Sequence, residues 1–442
     1  MALEGVTGEN RIAKAVRSML PPGKFARAVT VIAGGAALGQ AVTVLISPLL
    51  TRLYSPADFG VFGVYASILG ILTVVASLRY EFAILLPKDE ESAACILALC
   101  FLVLFGTTAL SCFIITAIGG QIVVWANVPE LEGYLWLIPL GMLGAGTYQI
   151  LNYWGVRRRD FYRIGRTRLT RGIARAALQV GLGYAVSGPL GLLIGQFAGE
   201  SAGSASLAEA AWKKDRGPLK AINLNGIRQA AARYRRFPVF TGTSALIDSL
   251  GLNAPQILFA AFYGAQVAGW FALGQRVIAA PLNIVVDSVA QVFFGEAARL
   301  SGDDPQSMRR LFWKLSTKLA LAGAVPVAVI CALAPWFFAI VFGSGWETAG
   351  RYVQVLGVMF AVRFAVIPLQ HTLNILERQD INLIWDVARL ILVVGSLLAG
   401  KALGFSDFAA VAAYSLSMSA AYLLLWGIIW RELGRDAIGR KY

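Results

Sequence analysis

Arg276, Asn283 and Asp287 stand 7 and 11 residues apart, spacings that return to nearly the same direction on a helix turning about 100° per residue. A guanidinium, an amide and a carboxylate on one face of an apolar helix form a polar stripe able to hydrogen-bond an anionic or hydroxyl-rich solute. Arg363, Gln370 and Asn374 repeat the spacing, with the single histidine, His371, off to one side. Gln40, Thr43, Ser47 and Thr51 make a neutral stripe, and Thr241, Ser244 and Asp248 another. An ion inside a bilayer costs about 2.5 to 3.5 kcal/mol on insertion scales. These stripes are therefore expected to face a wet interior, the alternative being hydrogen bonding between helices in a dry bundle.

The elements that carry the stripes are apolar runs of about twenty residues, the length that crosses roughly 30 Å of hydrocarbon. Of 442 residues, 57% are hydrophobic and only 14% charged, more apolar than a soluble core of this size needs. The net charge of +14 does not point to nucleic acid, because the basic residues lie in short segments between apolar runs and not in a patch on a soluble domain. Twelve spans are expected, at 28–50, 59–78, 93–118, 131–155, 167–187, 190–211, 237–262, 265–297, 316–342, 349–376, 383–400 and 408–430. Lys and Arg are retained on the cytoplasmic side. With both termini inside, 32 of the 39 fall in inner segments and 3, Arg52, Arg351 and Lys401, in outer loops.

The domain reading is a basic amphipathic cytoplasmic arm at 1–27, a first six-helix bundle at 28–211, a basic cytoplasmic linker at 212–236, a second bundle at 237–431 and a cytoplasmic tail at 432–442. The arm has no small-residue cleavage site and does not read as a removed leader. Arm and linker mix apolar and basic residues, which predicts contact with anionic inner-leaflet lipids. Leu53–Phe62 aligns without gaps on Phe262–Phe271, sharing Tyr, Gly and Phe at an offset of 209. With six helices in each half, this predicts a parallel repeat. Gly191, Gly195, Gly199 and Gly203 put four glycines on one helix face, a surface for close packing. Asp386 and Arg389 are expected to pair and Arg175 to snorkel to the inner surface, whereas Glu200 and Asp248 have no sequence-local partner. Cys95, Cys100, Cys112 and Cys331 lie inside apolar runs and predict neither a metal site nor a disulfide. No phosphate-binding loop of an ATPase is present, and no outer loop is long enough to present catalytic residues. The reading is an all-α membrane transporter without cofactor, metal or catalytic residue.

The run Pro48–Phe62, followed by Ser77–Lys88 and by the arginine-rich Asn152–Phe161, resembles bacterial polysaccharide flippases of the Wzx type, in the multidrug/oligosaccharidyl-lipid/polysaccharide exporter superfamily. The resemblance implies two six-helix bundles around a central cavity, in the bacterial cytoplasmic membrane. It implies as substrate an oligosaccharide joined through diphosphate to undecaprenol, flipped from the inner to the outer leaflet by alternating access, with a polysaccharide polymerase and chain-length machinery as partners. The diphosphate needs cations and the sugars hydrogen-bonding walls. On that reading Arg276 and Arg363 are the central candidates, Arg79 lies at the cytoplasmic entrance, and Asp248, Asn283, Asp287, Gln370 and Asn374 line the cavity. The rival readings are a cation-coupled drug exporter of the same superfamily, which needs an acidic aromatic pocket, a membrane polysaccharide polymerase or ligase, and a non-transporting scaffold.

Overall fold

Apolar runs in a bilayer satisfy their backbone only as helices or closed barrels, and every regular element among the described residues is helical. The structure is a computed structural model, and it describes residues 24–303 and 305–439. The amphipathic arm expected at 1–27 lies outside the described residues except for the backbone of its last four. The helices are α1 (Lys24–Leu45), α2 (Ser47–Leu53), α3 (Pro56–Val75), α4 (Glu90–Ala126), α5 (Leu137–Arg157), α6 (Phe161–Ala185), α7 (Leu190–Ser201) and α8 (Ser204–Lys214). After two short helices, α9 (Arg216–Lys220) and α10 (Leu224–Arg233), come α11 (Thr243–Tyr263), α12 (Ala265–Asp303), α13 (Pro305–Val341), α14 (Glu347–Val366), α15 (Thr372–Ile375), α16 (Gln379–Ala402) and α17 (Asp407–Gly439).

Several helices run past the apolar limits expected from sequence. With 37 residues each, α4 and α13 are about 55 Å long at 1.5 Å per residue, because a helix leaving the hydrocarbon keeps its hydrogen bonds and needs no further apolar residues. Among the described residues nine helical segments are long and apolar enough to cross a membrane. Three others are not among them. Thr147, Gln149 and Asn152 interrupt α5, five arginines between Arg163 and Arg175 stud α6, and α7 stops after 12 residues at Gly203, whose φ of 88° suits glycine. The outward faces fit lipid: Leu321, Val325, Val329, Leu333, Trp336 and Ile340 leave an apolar stripe exposed along α13, an aggregation-prone face in water and a natural one in a bilayer. Exposed Trp125, Trp136 and Tyr184 stand at helix ends, where amphipathic rings meet the headgroup layer.

Within the first half α6 packs on α1 and α7, and within the second α14 packs on α13 and α17. The halves meet chiefly where α3 lies against α11 and α12. A Cβ on Gly60 would stand 1.8 Å from the Ala265 carbonyl oxygen, and one on Gly269 would stand 1.7 Å from that of Pro56. Positions 56 and 60 map onto 265 and 269 by the same offset of 209 that aligns the two sequence segments. The contact is reciprocal, residue for residue, as a two-fold relation requires, and it gives the faint repeat a physical basis. Trp346 reinforces it by donating Nε1 to the Thr51 carbonyl at 3.2 Å and taking the edge of Phe59 at 4.9 Å between centroids.

The basic linker is docked on protein along one side. Ala230 is buried, Gly226 lies against Cys95 of α4, and Tyr80 donates to the Ala231 carbonyl at 3.4 Å. Its other side exposes Leu224, Arg228, Arg233, Arg235 and Arg236.

Candidate functional site

A cavity of about 430 Å³ lies inside the first half, between α1, α3, α5, α6 and α7. The helices that fail as simple apolar spans supply most of its polar wall. Gln149 and Asn152 come from α5, Arg168, Arg171 and Arg175 from α6, and Glu200 from α7, with Gln40 and Thr43 of α1 and Thr73 of α3. The arginines are spaced three and four apart, so they share one helix face. Glycines let the walls close on them. A Cβ on Gly172 would stand 2.7 Å from Gly39, one on Gly35 would clash with the Gly165 carbonyl, and one on Gly199 would stand 2.7 Å from Nε of Arg175. The four-glycine face of the sixth expected span does serve close packing, against Tyr54, Gln179, Arg175 and Thr167 in turn.

Arg171 is fixed on three sides. Its Nε donates to the Gly199 carbonyl at 2.8 Å, Nη2 pairs with Glu200, and the guanidinium lies 4.2 Å over the Tyr148 ring, a cation–π contact. Arg175 Nη2 donates to the other Glu200 oxygen at 2.8 Å, which also accepts from Gln196 at 3.1 Å. Nε of Arg175 and Oδ1 of Asn152 are buried without a hydrogen-bond partner, and both belong to residues that line the cavity. Three guanidinium groups against one carboxylate leave the cavity net positive. Amides, hydroxyls and the Tyr148 ring complete a wall suited to an anion that carries sugar.

A second polar layer lies behind Gln149. Its Nε2 donates to Glu81 Oε1 at 2.6 Å, Ser77 donates to Glu81 Oε2 at 2.5 Å, and Arg79 Nη1 stands 3.6 Å from Glu81 Oε1. Glu81 is fully buried. Leu78 and Arg79 both hold positive φ, 49° and 63°, a strained pair of the kind that persists only where surrounding contacts impose it. Beyond it, Arg157 gathers the carbonyls of Ile84, Pro87 and Asp89 at 2.8 to 3.2 Å. Asp89 caps α4, and the bonds from Ser92 hold its carboxyl below the usual carboxylate range.

The eight residues nominated from sequence are dispersed, and none of them lines this cavity. Arg276 comes nearest, reaching across from the second half to donate Nη2 to the carbonyl of cavity residue Thr43 at 2.9 Å. Arg79 stands in the layer behind Gln149. Arg363 donates to Asn283 at 3.0 Å, tying α14 to α12, and Asp287 is exposed. The stripe expected from Arg363, Gln370 and Asn374 does not form on one helix: α14 ends at Val366, Pro368 sits in a tighter turn, and a new short helix begins at Thr372. Gln370 instead donates to Asn382 at 2.8 Å, and Asn374 meets His371 at 3.4 Å. Asp248 has a partner distant in sequence, Arg389 at 2.7 Å. Arg389 also meets Asp386 at 3.4 Å, as its i,i+3 spacing led one to expect. Arg175 turns inward to Glu200 and does not snorkel.

Sequence reasoning placed Arg168 and Arg171 in a cytoplasmic loop because they belong to a basic cluster. The missed signal is their helical spacing, continued by Arg175 and interleaved with Gly165 and Gly172. The neutral stripe on the first span was legible, since Gln40 and Thr43 do line the cavity.

A profile of the family described as polysaccharide biosynthesis protein matches residues 49–351, more than half of the chain. The chain belongs to that family. Similar curated proteins include the teichuronic acid biosynthesis protein TuaB of Bacillus subtilis, 25% identical over 51% of this chain and 44% of TuaB. The lipopolysaccharide biosynthesis protein WzxC of Escherichia coli is 24% identical over 37% of this chain and 33% of WzxC. The match thus spans less than half the length of either relative. Among solved structures the fold is similar to the lipid II flippase MurJ in an inward closed conformation, with TM-score 0.70, 11% identity and 93% and 90% of the two chains covered. It is also similar to an inward-facing multidrug transporter of the MATE family, with TM-score 0.64, 13% identity and 92% and 95% covered. The family member described here is thus a multi-pass helical membrane protein, in bacteria of the inner membrane, and its fold is similar to those of the two transporters just named.

Proposed function

We propose that this protein moves an undecaprenyl-diphosphate-linked oligosaccharide from the inner to the outer leaflet by alternating access of two six-helix bundles, 28–211 and 237–431. In this reading twelve helices cross the membrane with both termini cytoplasmic, α7 and α8 together making the sixth. The cavity of the first bundle takes the polar head while the lipid tail stays in the bilayer. The observation that carries the reading is the cluster Arg168, Arg171 and Arg175 facing a 430 Å³ polar cavity. Guanidinium forks match phosphate oxygens, and Gln149, Asn152, Gln40 and Tyr148 offer donors and acceptors to sugar hydroxyls. The same sign of charge disfavours the rival drug exporter, because an organic cation would meet three arginines. The exposed basic side of the linker suits contact with anionic inner-leaflet lipids, and family membership makes a polysaccharide polymerase and chain-length machinery the expected neighbours in the pathway.

Deletion tests this directly. Lipid-linked oligosaccharide is expected to accumulate on the cytoplasmic leaflet, and re-expression of Arg171→Gln is expected to restore less than about a tenth of surface polysaccharide, the loss of one charge-assisted phosphate contact being worth at least 1.4 kcal/mol. Absence of accumulation in the deletion strain, or full restoration by Arg171→Gln, would rule the reading out.

A further inference from the structure

The carboxylate in the cavity is placed where its own helix disfavours it and only the facing arginines favour it. Glu200 is the penultimate residue of α7, so it lies at the negative end of the helix dipole. Its pairing with Arg171 and Arg175, and the amide of Gln196, hold it there. Independently of Glu200, Arg171 is also held by polar contacts and Arg175 by packing alone. Arg171 keeps the Gly199 carbonyl and the Tyr148 ring, and Arg175 lies across the gap left by Gly199. The helix ends at once beyond Glu200, through Ala202 and the left-handed Gly203, so the chain carrying the carboxylate has a break beside it.

Resting on the flippase reading, we propose that Glu200 is an internal stand-in for the diphosphate. In the empty cavity its two oxygens occupy Arg171 and Arg175, and an entering diphosphate takes both guanidinium groups and displaces the carboxylate. The exchange has two consequences. It keeps the arginines from standing unpaired in a low-dielectric cavity between cycles. It also lowers affinity for the anion, because binding must break two ion pairs and release must only remake them, which suits a carrier that has to let its cargo go. Three arginines without Glu200 would bind the diphosphate more tightly and release it more slowly.

The test uses the full chain in lipid nanodiscs, inorganic pyrophosphate as the probe and calorimetry as the readout. Glu200→Gln keeps the size of the side chain and one acceptor oxygen, while its charge is lost and its NH2 cannot accept from the second guanidinium. It is expected to tighten pyrophosphate at least tenfold while slowing restoration of surface polysaccharide in a deletion strain. Arg171→Gln is expected to abolish binding. A folded Glu200→Gln protein whose pyrophosphate affinity is unchanged or weaker overturns the stand-in. Should that variant fail to fold, Gln196→Ala removes one hydrogen bond from the carboxylate and leaves both ion pairs, and a failure of this variant to tighten binding by about twofold overturns the proposal equally. The two readings fail separately. Tightening in Glu200→Gln without accumulation of lipid-linked oligosaccharide on deletion supports the stand-in and sinks the flippase assignment, whereas accumulation without tightening does the reverse.

Discussion

Adding one methyl group at Gly60 should part the two halves of the protein where they touch. A Cβ there would lie 1.8 Å from the Ala265 carbonyl oxygen and 2.6 Å from its carbon, both backbone atoms with no rotamer to change. Non-bonded heavy atoms rest at about 3.5 Å, so α3 and α12 must part by roughly 1.5 Å or more. Overpacking of this kind costs about 1 to 3 kcal/mol, and it is charged only to the conformation in which the two halves touch at this end. The equilibrium should therefore move about 5- to 150-fold towards conformations in which the contact is broken. Ser47 reports the change: it is fully buried, and it lies on the stripe between Thr43 and Thr51, whose carbonyls accept from Arg276 and Trp346 of the other half. With the four native cysteines replaced, the near-isosteric Ser47→Cys should react with a membrane-impermeant maleimide at least fivefold faster in the Gly60→Ala background. Because the contact is reciprocal, Gly269→Ala should do the same to a similar extent. Gly120→Ala, where a Cβ meets nothing within 4 Å, should change nothing. Equal maleimide rates in Gly60→Ala, Gly269→Ala and the parent would refute the reasoning that this contact holds the two halves together.

Arg389→Ala removes the cation between Asp248 and buried Asp386. It should cost about 3 kcal/mol, read as a lowered Tm in detergent, and an unchanged Tm would mean that the two carboxylates are hydrated or neutral. Arg157→Ala frees the carbonyls of Ile84, Pro87 and Asp89, and limited proteolysis should then cut between 84 and 89 severalfold faster than in the parent. Trp346→Phe keeps the edge contact with Phe59 and deletes the donor to Thr51. It should raise the Ser47→Cys labelling rate less than Gly60→Ala does, the loss of one hydrogen bond being worth about 1 kcal/mol.

Hydropathy made the class of molecule readable, because every residue that crosses hydrocarbon must bring its own backbone partners and apolar surface. It misjudged helix ends where a helix continues into water, as α4, α13 and α17 do. Reading the basic segment after Asn152 as topology hid its second use: Arg168 and Arg171 are both part of a basic cluster and part of a cavity wall, and composition does not distinguish the two. Stripe arithmetic held on α1, where the helix continues through Gln40 and Thr43. It failed beyond Val366, where Pro368 ends the helix that the spacing of Arg363, Gln370 and Asn374 presumed.

By itself the sequence determined an all-helical membrane protein, the approximate place of nine of its spans, the alignment of Gly60 on Gly269 at an offset of 209, and a neutral stripe on the first span. These are local properties, set by the length and periodicity of apolar runs and by glycine spacing along one helix. The tertiary structure alone decided that Arg171 and Arg175 share Glu200, that Arg389 bridges Asp248 and Asp386, that Arg276 reaches Thr43 from the other half, and that the repeat closes on itself through Gly60 and Gly269. Each of these joins residues 25 or more apart in the chain, apart from the i,i+3 contact of Arg389 with Asp386. Which charges meet across such separations depends on how closely glycine lets the helices approach, and that is a property of pairs of helices and not of any one of them.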